Sequence, residues 1–178
     1  MEGLFTNQTL SQITSRSYRV TINLFIRQPF TQTFNQEQTV VQNVLNTVKE
    51  MDGNDFQFNY LTGIQAESAD TFKNAFETKT GKKFTPKNFR DYRLSALNKA
   101  EAFLYIRVGL SESSAFELAY NIFKGNKAPI FFAIWKNTPI KTTLLRDLED
   151  LCDITYVEFD HPDELKNDLK KFFKKIIK

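Results

Sequence analysis

The stretch AFLYIRVGLSESSAFELAYNIFKGNKAPIFFAIW, Ala102 to Trp135, holds two apolar segments, AFLYIRV and APIFFAIW, separated by a helical pattern. Both segments have strand length, and both are rich in β-branched and aromatic residues. Neither alternates polar with apolar positions, so each reads as a strand buried on two faces. Two such strands joined through a helix form a βαβ unit, and the strands of that unit run parallel.

The same rhythm extends in both directions. RVTINLFI (Arg19 to Ile26) is an upstream strand, ended by Pro29 and followed by a helical pattern from about Asn35 to Glu50. DGND (Asp52 to Asp55) is turn chemistry, and FQFNYL (Phe56 to Leu61) follows it as a short strand. A helix-prone region from Ala66 to Thr78 and the break KTGKK lead to a helix opened by Pro86 that runs to about Lys99. Downstream of Trp135 the pattern predicts a helix over Pro139 to Leu151, a strand ITYVEF (Ile154 to Phe159) and a tail helix. In that tail, Leu165, Leu169, Phe172, Phe173, Ile176 and Ile177 recur at helical spacing opposite the lysines, a face suited to covering a sheet. The prediction is an α/β fold: one flavodoxin-like, doubly wound, five-stranded parallel sheet with strand order 2-1-3-4-5. It occupies residues 19–178 as a single domain, behind a polar arm at residues 1–18 rich in Asn, Gln, Ser and Thr.

Composition narrows the function. Phenylalanine supplies 18 of the aromatic residues, which implies an aromatic core. The net charge of +3 comes entirely from the tail, where six lysines follow Pro162, so the body lacks the basic stripe of a nucleic-acid binder. One cysteine, Cys152, and one histidine, His161, are too few for a zinc site, and no P-loop or dinucleotide glycine fingerprint is present, so no metal and no cofactor is expected. His161, ahead of Pro162, Asp163 and Glu164, reads as a helix cap. No apolar run approaches the ~20 residues of a membrane span, and with no secretory leader in view the expected location is the cytoplasm.

In a sheet of this order, ligands bind at the carboxyl ends of the strands, near the switch between strands 1 and 3. Two loops meet there, Arg27 to Asn35 and Gly109 to Ser114. Ser114 and Glu117 have the spacing of a capping box, with Ser114 as the cap and Glu117 reaching back to the helix start. Glu117, Tyr120 and Asn121 also continue a polar stripe, while Phe116, Ala119, Ile122 and Phe123 occupy the other face. Serine hydroxyls beside free N–H groups at a helix N-terminus suit an anion such as phosphate.

LSESSAFELAYNIFKGNKAPI, and less specifically FIRQPF, resembles the nucleoside 2-deoxyribosyltransferase superfamily, which includes hydrolases that remove bases from nucleoside 5′-monophosphates. The resemblance spans roughly Val20 to Trp135. It implies cleavage or transfer at an N-glycosidic bond, with Glu117 as the nucleophile that carries the glycosyl intermediate and Asp91 as a second carboxylate. It also implies phosphate binding by Ser111, helped by Ser113 and Ser114, and a first-strand loop in which Arg27, Gln28 and Phe30 close over sugar and base. Tyr120 completes the substrate-binding set. The small residues usual in these loops are partly replaced by Arg27, Gln28, Ser113 and Ala115. The expected partner is a small nucleotide or nucleoside, with no nucleic acid and no membrane, and a neighbouring subunit is expected to complete the pocket in a homo-oligomer. Two alternatives stand beside this one. A TIR-like NAD glycohydrolase has a similar sheet and a helix-borne glutamate, and a catalytically silent nucleotide-binding or interaction domain needs only the cradle.

Overall fold

A computed structural model describes residues 20–28, 35–62 and 69–177. The expected arm at 1–18 and Phe30 lie outside the described residues. Five strands form one sheet: β1 (Thr21–Arg27), β2 (Gln57–Tyr60), β3 (Ala102–Arg107), β4 (Ile130–Trp135) and β5 (Ile154–Phe159). All are parallel, in the order β2-β1-β3-β4-β5, which is the flavodoxin-like order. The helices are α1 (Asn35–Met51), α2 (Ala69–Thr80), α3 (Pro86–Leu97), α4 (Glu112–Phe123) and α5 (Lys166–Ile176).

Period-two alternation along β3 sorts the core into two layers. Ala102, Leu104 and Ile106 face the layer built with α1 and α5, whose members include Val44, Val48, Leu169, Phe172 and Phe173. Phe103 and Tyr105 face the other layer, with Leu97 of α3 and Leu118 and Ile122 of α4. Every residue of β3 and β4 is buried, as central strands of a doubly covered sheet require. α5 therefore packs on the sheet through its apolar stripe, and its lysines pair with Glu50, Asp55, Asp153 and Asp168.

Three local expectations need correction. Pro139 to Leu151 is not a helix but two 3-10 turns, Thr143–Leu145 and Leu148–Asp150. Asp147 between them adopts a left-handed φ of 52°, which breaks the helical ladder, while Ile140, Leu145 and Leu148 still cover the sheet. His161 precedes a 3-10 turn without making a side-chain cap bond. Finally, α4 begins at Glu112, so its N-cap is Ser111, whose hydroxyl accepts from Ser114 N. Glu117 then lies in the second turn, too far along to close a capping box.

That shift coincides with an inverted amphipathicity of α4. Ser114, Glu117 and Asn121 are buried with Leu118 and Ile122, whereas Phe116, Ala119 and Phe123 are exposed. Asn121 explains part of the orientation. Its amide donates to Ala128 O at 2.9 Å and accepts from Ala128 N at 3.1 Å, tying α4 to the entry of β4. Asn121→Ala would strand both backbone groups in a fully buried position, and its expected cost is about 3 kcal/mol in denaturant unfolding; a loss under about 0.5 kcal/mol would show that the tie is dispensable.

Candidate active site

Glu117, from α4, is buried beside the carboxyl ends of β1 and β3, between two arginines. Arg93 of α3 grips it with both arms: Nε donates to Oε1 at 2.7 Å and Nη2 to Oε2 at 3.0 Å. Arg27, the last residue of β1, brings Nε to 3.5 Å from Oε2. All three side chains are nearly sealed from solvent, with exposures of 11% for Arg27, 10% for Arg93 and 7% for Glu117. Two planar donors on one carboxylate hold it rigidly, and each oxygen keeps lone-pair capacity for another partner.

The surroundings hold the arginines in turn. The guanidinium of Arg93 lies 4.5 Å from the ring centroid of Phe25, so the aromatic face supports the cation from below. Arg27 Nε donates to Ser114 Oγ at 2.6 Å and Arg27 Nη2 to Ser111 Oγ at 3.1 Å. The end of β1 is anchored by Thr62, whose hydroxyl accepts from Ile26 N and donates to Ile26 O, both at 2.9 Å. Burial pushes Arg27 below the usual arginine range, opposed by the nearby Glu117 carboxylate and reinforced by repulsion from Arg93. Burial also raises the Tyr105 hydroxyl, which a hydrogen bond with Ser114 counteracts. Two guanidinium charges against one carboxylate leave the cluster with a positive charge to spare.

The structure thus brings together Glu117, Ser111, Ser114 and Arg27 from the expected set. Gln28 stands next to them in the chain, and its buried amide oxygen has no partner among the described residues. Ser113 is exposed on the first turn of α4, where it lines a groove of about 350 Å³ between α3 and α4 that also reaches Arg93 and Glu117. Tyr120 lies elsewhere: its hydroxyl meets the side chain of Asn98 at the far end of α3. Asp91 stands apart from this cluster. Its carboxylate is bound to Lys87 at 2.7 Å and lies near Arg90, half exposed, and Lys87 holds it below the usual carboxylate range. It is the exposed ion-pair partner that its helical spacing from Lys87 allows, and it makes no contact with Glu117. Among the described residues no group of His, Cys, Asp and Glu side chains is arranged to hold a metal ion.

Arg93 is the residue that sequence reasoning missed. A signal was present: Phe89, Arg93, Ala96 and Leu97 share one face of α3, and a cation on an otherwise apolar stripe implies a buried partner.

No family model matches the chain, and no curated protein matches it. Solved structures do. The CMP N-glycosidase BcmB of Clostridium botulinum superposes with a TM-score of 0.55 at 11% identity, over 83% of this chain and 98% of that one. BlsM gives a TM-score of 0.60 at 14% identity, over 88% of this chain and 92% of its own. At these identities the likeness is one of fold, and it agrees with the strand order described above.

Removing one member of a buried ion pair leaves an uncompensated charge, so Arg93→Met is expected to destabilise the protein by about 3 kcal/mol or more in urea unfolding. Arg93→Met combined with Glu117→Leu should cost less than the sum of the single changes, by about 1–3 kcal/mol. Strict additivity would mean that the two groups do not interact as described.

Proposed function

We propose that the protein cleaves the N-glycosidic bond of a phosphate-bearing nucleoside, with Glu117 as the nucleophile. The observation that carries this reading is the buried carboxylate between Arg93 and Arg27, beside the hydroxyls of Ser111 and Ser114 at the switch point of the sheet. A hydroxyl that accepts from a cation is free to turn its own hydrogen elsewhere, so Arg27 aims the Ser111 proton away from itself and towards an incoming anion. The spare positive charge and the N-terminus of α4 favour the same ligand. The activity named for BcmB, N-glycosidic cleavage of CMP, supports the reaction class.

In this mechanism a Glu117 oxygen bonds to the anomeric carbon as the carbon–nitrogen bond breaks, and the bond's electron pair leaves with the base, which takes a proton from solvent. Water then bonds to the anomeric carbon as the carbon–oxygen bond to Glu117 breaks, giving its proton to solvent and returning the carboxylate; a second base in place of water, losing its own ring proton likewise, gives transfer. Arg93 positions the carboxylate, and the substrate's phosphate offsets the positive charge that would otherwise oppose an oxocarbenium-like transition state. Gln28, Ser113 and the loop carrying Phe30 remain proposed substrate contacts, and a small-molecule nucleotide is the proposed partner. Asp91 has no role in the scheme.

A second reading has its own support. Guanidinium groups engage both oxygens of Glu117, as a silent nucleotide-binding domain would tolerate. Incubation with deoxynucleosides, 5′-monophosphates and NAD, followed by detection of free base, separates the readings. Base release from a monophosphate is expected. Release of nicotinamide from NAD alone would favour a TIR-like glycohydrolase, exchange between unphosphorylated deoxynucleosides a transferase, and no release from any of them a silent domain.

The variants sharpen the assignment. Glu117→Gln should abolish turnover yet bind the monophosphate at least as tightly, because the amide no longer offsets the two arginines. Ser111→Ala should weaken monophosphate binding by about tenfold and nucleoside binding far less, as loss of one charge-assisted hydrogen bond implies. Equal losses for both ligands in calorimetry would remove Ser111 from the phosphate site.

A further inference from the structure

We infer that the turn joining α2 to α3 binds single-stranded nucleic acid. The near balance of charge along the chain body conceals a local excess that the fold concentrates on this turn. Between Glu77 and Asp91 stand five cations, Lys79, Lys82, Lys83, Lys87 and Arg90, and all five are exposed. The two acids that bracket them leave the patch positive. Glu77 turns back onto the chain, where its Oε1 accepts from Phe84 N at 2.7 Å, and Asp91 holds Lys87 at 2.7 Å with Arg90 at 3.9 Å. Lys82 and Lys83, at the tip, have no ion-pair partner among the described residues, so their ammonium groups face solvent as uncompensated point charges.

The tip is held in one shape, which lowers the cost of ordering it around a ligand. Gly81 reverses the chain with a left-handed φ of 64°. Thr80 Oγ1 donates to Phe76 O at 2.8 Å, and Asn88 Nδ2 donates to Lys83 O at 2.9 Å. Aromatic rings stand behind the cations. Phe84 and Phe89 both meet Phe72 edge-on, at 5.8 and 5.2 Å, and Phe84 and Phe89 are only partly buried. Repeated point charges complement a chain of phosphates, and partly open rings complement unpaired bases, which every single strand offers and a duplex conceals. The combination selects a single strand over a duplex, and over an acidic protein surface, which has no use for the rings.

The patch is continuous with the site. Phe89 and Arg90 also line the groove of about 350 Å³ that reaches Arg93 and Glu117. On the function proposed above, this groove would carry the end of such a strand towards Glu117. Binding by the turn stands apart from that reading, because its cations and rings lie outside the Glu117 cluster and it is measured without turnover.

Fluorescence anisotropy of a labelled oligothymidylate of about 12 nucleotides, titrated with the full chain at low salt, tests it. Saturable binding is expected, with a slope of log affinity against log salt of about −2 to −3, as contacts from three or four cations to a single strand imply. Lys82→Glu/Lys83→Glu should weaken binding by about tenfold or more and flatten that slope, with an unchanged circular dichroism spectrum and melting temperature, since both side chains are exposed. Lys124→Glu/Lys174→Glu changes the net charge equally at the far ends of α4 and α5 and should bind as the unaltered protein does. Absence of binding at low salt, or equal weakening by the two pairs, overturns the site. A duplex of the same length bound as tightly, or polyglutamate displacing the strand as well as unlabelled oligothymidylate does, overturns the choice of partner.

Discussion

A carboxylate taken out of water between two guanidinium groups is the constraint on which the site depends. Burying Glu117 is tolerable only because Arg93 meets it with two hydrogen bonds and Arg27 stands at 3.5 Å. That requirement links α3, α4 and the end of β1, elements that lie far apart in the chain. It also sets the rotation of α4, because a helix that turns Glu117 and Asn121 inward has to turn Phe116 and Phe123 outward. The buried ion cluster and the exposed aromatic ridge are two consequences of one orientation.

The sheet supplies the rigidity that such a cluster needs. β3 and β4 are buried along their whole length, and the Thr62 hydroxyl pins both backbone groups of Ile26, one residue before Arg27. Phe25, on the same strand, lies under the Arg93 guanidinium while its ring meets Phe103 edge-on at 5.1 Å. The aromatic core expected from composition therefore extends into the site, where it acts as a floor for a cation. Two guanidinium groups against one carboxylate leave that cluster with an excess of positive charge.

Much of this was legible in the sequence, and the failures have physical reasons. Strand order and layering were readable because apolar strands alternating with helices leave few packings open. Glu117 and its serines were readable from their position after a buried strand. Arg93 was not singled out, because its partner is 24 residues away and only the folded chain joins them. Asp91 was singled out by its place on the helix before β3, whereas its spacing of four from Lys87 equally allowed the exposed ion pair that the structure shows. The face of α4 could not be inferred from hydrophobicity alone, since the burial of Asn121 rests on two hydrogen bonds to Ala128, a tertiary contact. The helix expected over Pro139 to Leu151 failed at Asp147, where one left-handed residue interrupts an otherwise acceptable pattern.

The central claim is that Glu117 bonds covalently to the sugar. A 2-fluoro analogue of the nucleotide substrate slows release of the glycosyl group, because the fluorine withdraws charge from the oxocarbenium-like transition state. Intact-protein mass spectrometry after incubation with such an analogue, followed by peptide mapping, reads the outcome directly. The account predicts one added glycosyl phosphate per chain, located on Glu117 and lost in Glu117→Gln. Base release with no adduct on Glu117, or an adduct on another residue, would contradict it.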